Sequence, residues 1–424
     1  MNVELVSIGD ELLLGYTTDT NAGFFARSAA AEGIRVVRGA TVADTADEIA
    51  DAVREALDRT GAVVTSGGLG PTSDDLTKPS IAELFDRGMT LDEGIWKSLR
   101  ARWTARGWPG EIPLANRSQA MIPAGATVLT NRHGSAPGIW LEDNDGRWVA
   151  MLPGVPSEFR GMTTDELIPH IVARMAGRGG QGLVVRSRTL RTNGIAESAL
   201  ADALGKLAMD PMGVSLAYLP GWEGVDLRLT VRDVPAVEAD ERLEVATAAL
   251  RARIGRWVYG EGDADLAELA LQALRAKGYR IAVAESCTGG MLGMRITAIS
   301  GSSDVMVGGV ISYDNAVKVQ QLGVRVTTLR AHGAVSEETA REMASGVRAR
   351  LGVDVGVSVT GVAGPGGGTP EKPVGTVWVA VDVRGEVQAC RVSTIGDRHE
   401  IRQRSTQAAL ALTVRALGAP ASTT

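Results

Sequence analysis

Four short apolar runs end where glycine or serine breaks them: VELVSIG at 3–9, AVVTSGG at 62–68, WVAMLPG at 148–154 and YRIAVAES at 279–286. None shows the apolar–polar alternation of a half-exposed strand. A run of this kind must be covered on both faces, as parallel strands are when crossover helices pack on either side. Amphipathic stretches lie between the runs. Residues 20–32 place Asn21, Ala22, Phe24, Phe25 and Ala29 on one face; 45–60, 265–278 and 336–352 repeat the pattern. The last of these reads as a helix with Ser336 as N-cap, Thr339 at its third position and Gly352 as C-cap. Strand–helix alternation of this type specifies an α/β fold.

The rhythm divides the chain into three. Residues 1–175 and 263–416 read as α/β domains with mainly parallel sheets. Between them, 180–260 reads as a small α+β domain. It has a half-exposed strand (183–191), a helix (194–207), a strand pair (214–220 and 225–233) turning through Pro220-Gly221, and a long helix (235–254). GRGGQG at 177–182 reads as a linker, and GAPASTT at the C-terminus as frayed. The longest apolar runs are interrupted well before 18 residues, so no transmembrane helix is expected. The N-terminus lacks a basic stretch followed by a cleavable apolar segment, so no signal peptide is expected. Two cysteines, Cys287 and Cys390, fit a reducing, cytoplasmic setting without a disulfide. The net charge of −6 disfavours broad nucleic-acid binding.

Two constellations carry chemistry. In the first, SGGLGPTSDD (66–75) follows a strand. Gly67, Gly68 and Gly70 free the backbone to approach an anion, and Asp74 and Asp75 follow, where a divalent cation could bridge carboxylate and phosphate. Asp10, Glu11 and Asp44 also follow strands, and strand ends gather at one edge of a parallel sheet. A glycine-rich turn with solvated or capping acids accounts equally well for the spacing.

The stretches IGDELLLGYTTDTN, TVADT, TSGGLGPTSDDLT, NRHGSAPG and LPGVPSEF resemble the molybdopterin-binding domain of the MoaB/MogA type, in the version found at the N-terminus of the CinA family. That resemblance implies metal-dependent hydrolysis of ADP-ribose to AMP and ribose 5-phosphate. It carries over to Asp10, Asp44, Gly67, Gly68, Gly70 and Asp75, with Asp44 and Asp75 as the metal-binding carboxylates.

In the second constellation, a strand feeds ESCTGG (285–290) and then a helix. Ser286 reads as a helix cap or as a nucleophile with nearby amides for an oxyanion. None of the four histidines is tied locally to it. SYDNAVK (312–318) offers Tyr313 and Lys318. A desolvated lysine can accept a serine proton, although either residue alone reads as ordinary surface or core. TGVAGPGGGTPEKPVGTV (360–377) could cradle a phosphate or form a flexible hairpin. Arg398 and Arg402, four apart at a helix start, could share a phosphate or line a charged face. Cys287 reads as a small buried apolar residue rather than a nucleophile.

Together these four motifs resemble the C-terminal CinA domain over 265–415, a nicotinamide-mononucleotide deamidase. The resemblance implies Ser286 as nucleophile, Lys318 as base, Tyr313 assisting, and no cofactor. It makes Thr288, Gly289, Gly290, Thr360, Gly361, Gly364, Gly366, Arg398 and Arg402 substrate-binding, with Gly289 and Gly290 as oxyanion donors. The middle segment resembles the KH-like domain of long CinA proteins, but its GWEG (221–224) sits between strands, so a hairpin turn without RNA binding is expected. The family also tends to dimerise, implying a homodimer. Competing readings are a non-catalytic competence or DNA-damage adaptor and a pterin-binding protein.

Overall fold

The computed structural model describes residues 1–177 and 183–418. The expected linker after Gly177 and the expected frayed tail after Gly418 lie outside them. The chain forms two compact units, Met1–Arg186 with Val231–Glu241, and Ser187–Thr230 with Arg242–Thr424.

In the first unit, a six-stranded sheet runs β2 (Arg35–Val42), β1 (Asn2–Ile8), β3 (Ala62–Ser66), β8 (Trp148–Leu152), β7 (Gly138–Glu142), β6 (Thr127–Leu129). The first four are parallel; β7 and β6 are antiparallel additions. A two-stranded ribbon pairs β4 (Met89–Leu91) with β5 (Met121–Pro123). The apolar runs are buried on both faces, as their composition requires. Ala62, Val64, Trp148, Ala150 and Leu152 face a core with Phe25 and Phe159, while Val63, Val149 and Met151 face one with Ile49 and Val53. Ser7 pairs with Ser66, and Ser66 with Leu152, so the loops leaving β1, β3 and β8 emerge at one edge.

A four-stranded sheet orders β10 (Ser215–Pro220), β11 (Val225–Pro235), β9 (Leu183–Thr192) and β12 (Val258–Glu261). The helices Glu197–Leu204 and Ala236–Ile254 stand where the sequence predicts them; β12 is an added strand that sequence patterning did not single out.

The second large sheet orders β14 (Met306–Ile311), β13 (Ile281–Glu285), β15 (Val355–Gly361), β16 (Thr376–Val383) and β17 (Glu386–Ser393). Its first three strands are parallel; β16 and β17 are antiparallel. Its two faces differ in size. Ile281, Val283, Val357 and Val379 fill one core, whereas Ala282, Ala284 and Ala380 face the other. The small face lets the helix Glu337–Leu351 lie close: a Cβ on Gly356 would sit 2.1 Å from the Ala344 carbonyl oxygen. Ser336 caps that helix through the Thr339 amide, and Gly352 ends it in the left-handed region, as expected. Glu285 pairs with both Ile311 and Val359, which brings Ser286, Ser312 and Thr360 to one sheet edge.

Candidate functional sites

All four C-terminal motifs converge at that edge. Ser286 follows β13, and its amide bonds the Val359 carbonyl on β15 at 2.9 Å. Lys318 lies on the helix Asn315–Leu322, capped by Asp314, and points back beneath the strand ends, 1% exposed. Its Nζ is 3.2 Å from Ser286 Oγ, 2.7 Å from the Ser312 carbonyl and 3.2 Å from the Tyr313 carbonyl. Burial pulls its pKa below the ordinary lysine value, opposed by Asp314 and Cys287. Two carbonyls hold two of the amine's hydrogens. In the neutral amine, the remaining direction is a lone pair aimed at the serine, which is the geometry of a general base.

The turn after Ser286 is held from within. Glu285 is 1% exposed, yet its partners are amides rather than a cation. It accepts from the N–H groups of Gly290 and Leu292, each at 3.0 Å, and of Gly293 at 2.8 Å. The Gly289 amide bonds the Ser286 carbonyl at 3.2 Å. Gly289 and Gly290 therefore do not offer free oxyanion donors. Among the described residues, the turn amides without an oxygen acceptor are those of Cys287 and Thr288. Gly290 has φ 97°, a backbone region that a side chain strains, and this lets the helix Met291–Thr297 start directly over Glu285.

The two arginines have structural partners. Arg402 Nη2 donates to the Thr288 carbonyl at 2.7 Å, pinning the turn. Arg398 Nη1 donates to the Gly364 carbonyl at 2.5 Å and Nη2 to the Tyr313 hydroxyl at 3.0 Å. Arg398 thus ties the glycine-rich loop to the SYDNAVK segment. The Tyr313 ring is exposed and its hydroxyl bonds Arg398, so Tyr313 supports the site through its carbonyl on Lys318. Thr360 is buried, its hydroxyl spent on the Ala334 carbonyl at 2.7 Å. Gly361 ends β15, and Gly366 is exposed in the loop beyond. Cys287 and Cys390 are both free thiols. Burial pushes the Cys287 thiol up to about 12, so it is not a thiolate near neutral pH.

In the first unit, Gly67 occupies a position that only glycine fits: its φ is 115° and a Cβ would lie 2.2 Å from the Ile8 carbonyl oxygen. The Gly67 amide bonds Leu152, while those of Gly68 and Leu69 have no acceptor among the described residues. Asp75 accepts from the amides of Gly70 at 2.6 Å and Thr72 at 2.8 Å, which shapes the loop. Asp10 and Asp44 exchange backbone-to-carboxylate hydrogen bonds of 2.8 and 3.4 Å. Burial raises the Asp44 pKa, and the charges of Glu11, Asp10 and Asp74 raise it further, although the Asp10 amide opposes this. Those carboxylates share one field, and that crowding suits a cation. Among the described residues, no three His, Cys, Asp or Glu side chains form a ready-made metal cage. The fit is to a hard cation that takes one or two carboxylates and completes its shell with water and phosphate oxygens. Asp44 belongs to that field, whereas the Asp75 carboxylate is engaged by its own loop.

Two functional candidates escaped sequence reasoning. Glu285 was hidden because a strand-end acid before a serine carries no motif of its own. Lys78, 3% exposed beside Asp75, donates to the carbonyls of Ser118 at 2.6 Å and Gln119 at 3.1 Å. Burial pushes its pKa down to about 8. Its only sequence signal is a lysine one residue into a helix that follows the glycine loop.

Among the described residues, no helix is long and apolar enough to cross a membrane. Three family models match the chain. They are described as "Probable molybdopterin binding domain" over residues 4–173, "Damage-inducible protein CinA KH domain" over 187–260 and "CinA C-terminal domain" over 263–417. A CinA-like protein of Gemmatimonas aurantiaca is 58% identical over 410 residues, covering 97% of this chain and 95% of that protein. A CinA-like protein of Salinibacter ruber is 43% identical over 400 residues, covering 94% and 95%. A crystal structure of the competence/damage inducible protein CihA from Agrobacterium tumefaciens is 41% identical, with TM-score 0.35, and covers 37% of this chain and 96% of its own. Near-full-length identity to the first two relatives places this chain in the CinA family.

Proposed function

We propose that the Ser286 site hydrolyses the carboxamide of nicotinamide mononucleotide to nicotinate mononucleotide and ammonia. The observation that carries this reading is the buried Lys318 amine, held by two carbonyls, 3.2 Å from Ser286 Oγ. Lys318 takes the Ser286 proton as Oγ adds to the carboxamide carbon. The oxyanion forms against the amides of Cys287 and Thr288. The C–N bond breaks, the Lys318 ammonium protonates the departing nitrogen, and ammonia leaves an acyl-serine. Water, deprotonated by Lys318, adds to the acyl carbon and releases the acid and Ser286 Oγ–H. No cofactor is needed. Arg398, whose guanidinium lies at the rim between Tyr313 and Gly364, is the cation for the phosphate. The test is ammonia release from nicotinamide mononucleotide by the purified full chain, with Ser286→Ala as control. No release by the parent protein refutes the reading.

A second activity rests on the first unit: hydrolysis of ADP-ribose to AMP and ribose 5-phosphate with a divalent cation. The crowding of Asp44 with Asp10, Glu11 and Asp74 supports it, as do the amides of Gly68 and Leu69, which have no acceptor among the described residues. The cation, held by Asp44 and its neighbours, would neutralise pyrophosphate charge and acidify a water. The chain's own part is to present those amides to the phosphate oxygens and to orient the acids. AMP production from ADP-ribose that depends on added Mg²⁺ or Mn²⁺ tests this.

A further inference from the structure

The hairpin tip GWEG, between β10 and β11, does not end in solvent. Its Glu223 carbonyl accepts from Asn193 Nδ2 at 2.8 Å and from Gln407 Nε2 at 3.2 Å. Glu223 Oε1 lies 3.6 Å from Arg295 Nη2, and its other oxygen pairs with Arg191. The Arg295 guanidinium lies 4.9 Å from the centroid of the Trp222 ring. It also bonds Asp265 at 2.7 Å and Gln407 Oε1 at 2.5 Å. Gly224 makes the approach possible, since a Cβ there would meet the Thr192 carbonyl oxygen at 1.8 Å.

Arg295 sits on the two-turn helix Met291–Thr297, whose first amides are bound by Glu285. The helix is therefore held at its start by the residue before Ser286 and near its end by Arg295. Gln407, 1% exposed, shares the helix Arg398–Ala416 with Arg402, which pins the Thr288 carbonyl. Both routes from the GWEG tip lead to the turn that carries Ser286 and the amides of Cys287 and Thr288.

We propose that the GWEG tip, through Trp222 and Glu223 acting on Arg295, is a positioning element for the Ser286 site. This rests on the reading of Ser286 as a nucleophile. The tip is thereby assigned to the hydrolytic site rather than to nucleic acid. It touches neither Ser286 nor Lys318. Its action is to fix the helix from which the turn amides are hung. Small displacements of such groups are costly: misplacement of about 1 Å can lower a rate ~100-fold. The effect falls on turnover rather than on binding, because Arg398 and the glycine-rich loop are held by other contacts.

The experiment uses the full chain with Trp222→Ala, Glu223→Ala, Trp222→Phe and Glu223→Gln. Ammonia release from nicotinamide mononucleotide is measured alongside the rate at which a fluorophosphonate probe labels Ser286. The expected result for each alanine variant is kcat lower by about tenfold with KM within about twofold. Labelling slows in parallel, the thermal transition stays in place, and Phe and Gln restore most of the rate. The Trp222→Ala effect should vanish in an Arg295→Ala background, since the two act through one contact. Unchanged kcat and labelling in both alanine variants overturn the proposal, as does a loss confined to KM. If an alanine variant fails to fold, Trp222→Leu and Glu223→Asp take its place, since they keep bulk but disturb the contacts to Arg295: unchanged kcat and labelling in both overturn the proposal. A parent protein that labels at Ser286 but releases no ammonia refutes the substrate reading alone, and slower labelling in the variants still supports the positioning role. A parent that does neither overturns both.

Discussion

Lys318→Met is the most informative single change. Methionine is close to lysine in length and fills the buried slot, but it can neither take the Ser286 proton nor donate to the two carbonyls. Three contacts end at once, at 3.2, 2.7 and 3.2 Å. Loss of a positioned base costs ~100- to 10,000-fold in rate, or about 3–5 kcal/mol of barrier. Leaving the Ser312 and Tyr313 carbonyls without this partner costs about 1–3 kcal/mol each, partly offset because a desolvated amine no longer has to be buried. The expected net loss of stability is therefore about 2 kcal/mol, small beside the kinetic effect. The pH dependence separates the two. Burial lowers the Lys318 pKa, so the wild-type rate rises with pH as the amine loses its proton, at a midpoint below that of free lysine. The folded state releases this proton before the unfolded state does. Stability therefore also rises with pH between the folded value and the ordinary value of about 10.4. In Lys318→Met both slopes from this group disappear. Ammonia release across pH and denaturant titration of both proteins read them out. A variant that keeps more than a tenth of the wild-type rate, with the same rising limb, would refute Lys318 as the base.

Cys287→Ala should retain most ammonia release, and alkylating reagents should leave the native protein active, because the thiol is buried and held up at about 12. In the first unit, Asp44→Asn should raise the metal concentration needed for AMP formation without lowering the melting temperature. Asp75→Ala should instead lower both activity and melting temperature, since it removes the acceptor for the Gly70 and Thr72 amides. Lys78→Met tests the buried amine at about 8. Native Lys78 releases its proton before unfolded Lys78 does, so wild-type stability should rise between about pH 8 and 10.4, by roughly 3 kcal/mol at most. Denaturant titrations should show that rise flattened in the variant.

The sequence was most legible where one chemical demand had one structural answer. Apolar runs without alternation had to be covered twice, and VELVSIG, AVVTSGG, WVAMLPG and YRIAVAES are strands buried on both faces. Ser336 and Gly352 bound their helix because caps are local chemistry. The pairing of Ser286 with Lys318 came from the family resemblance rather than from the residues alone, and the two strand-end motifs do meet at one edge, with Lys318 Nζ 3.2 Å from Ser286 Oγ. What could not be read was how the backbone spends its own donors. Gly289 and Gly290 look like oxyanion donors in one dimension, but Glu285 and the Ser286 carbonyl take their amides in three. Arg402 looks like a phosphate ligand until Thr288 is found beneath it. The antiparallel strand β17, with its alternating exposure, was missed because half-exposed strands resemble charged loops in composition. Likewise, GWEG looked like a bare turn because Arg295 lies 72 residues downstream.

The Glu285 carboxylate has a consequence for selectivity against simple ions. A helix start with exposed amides attracts inorganic phosphate and sulfate, which are abundant around most proteins. Here the attracting end is already filled by an anion that the chain itself supplies, the carboxylate of the residue that precedes Ser286. Free oxyanions thus find no vacant seat behind the turn. Under the proposed activity, the phosphate of a mononucleotide is left to Arg398 at the rim, away from that helix start.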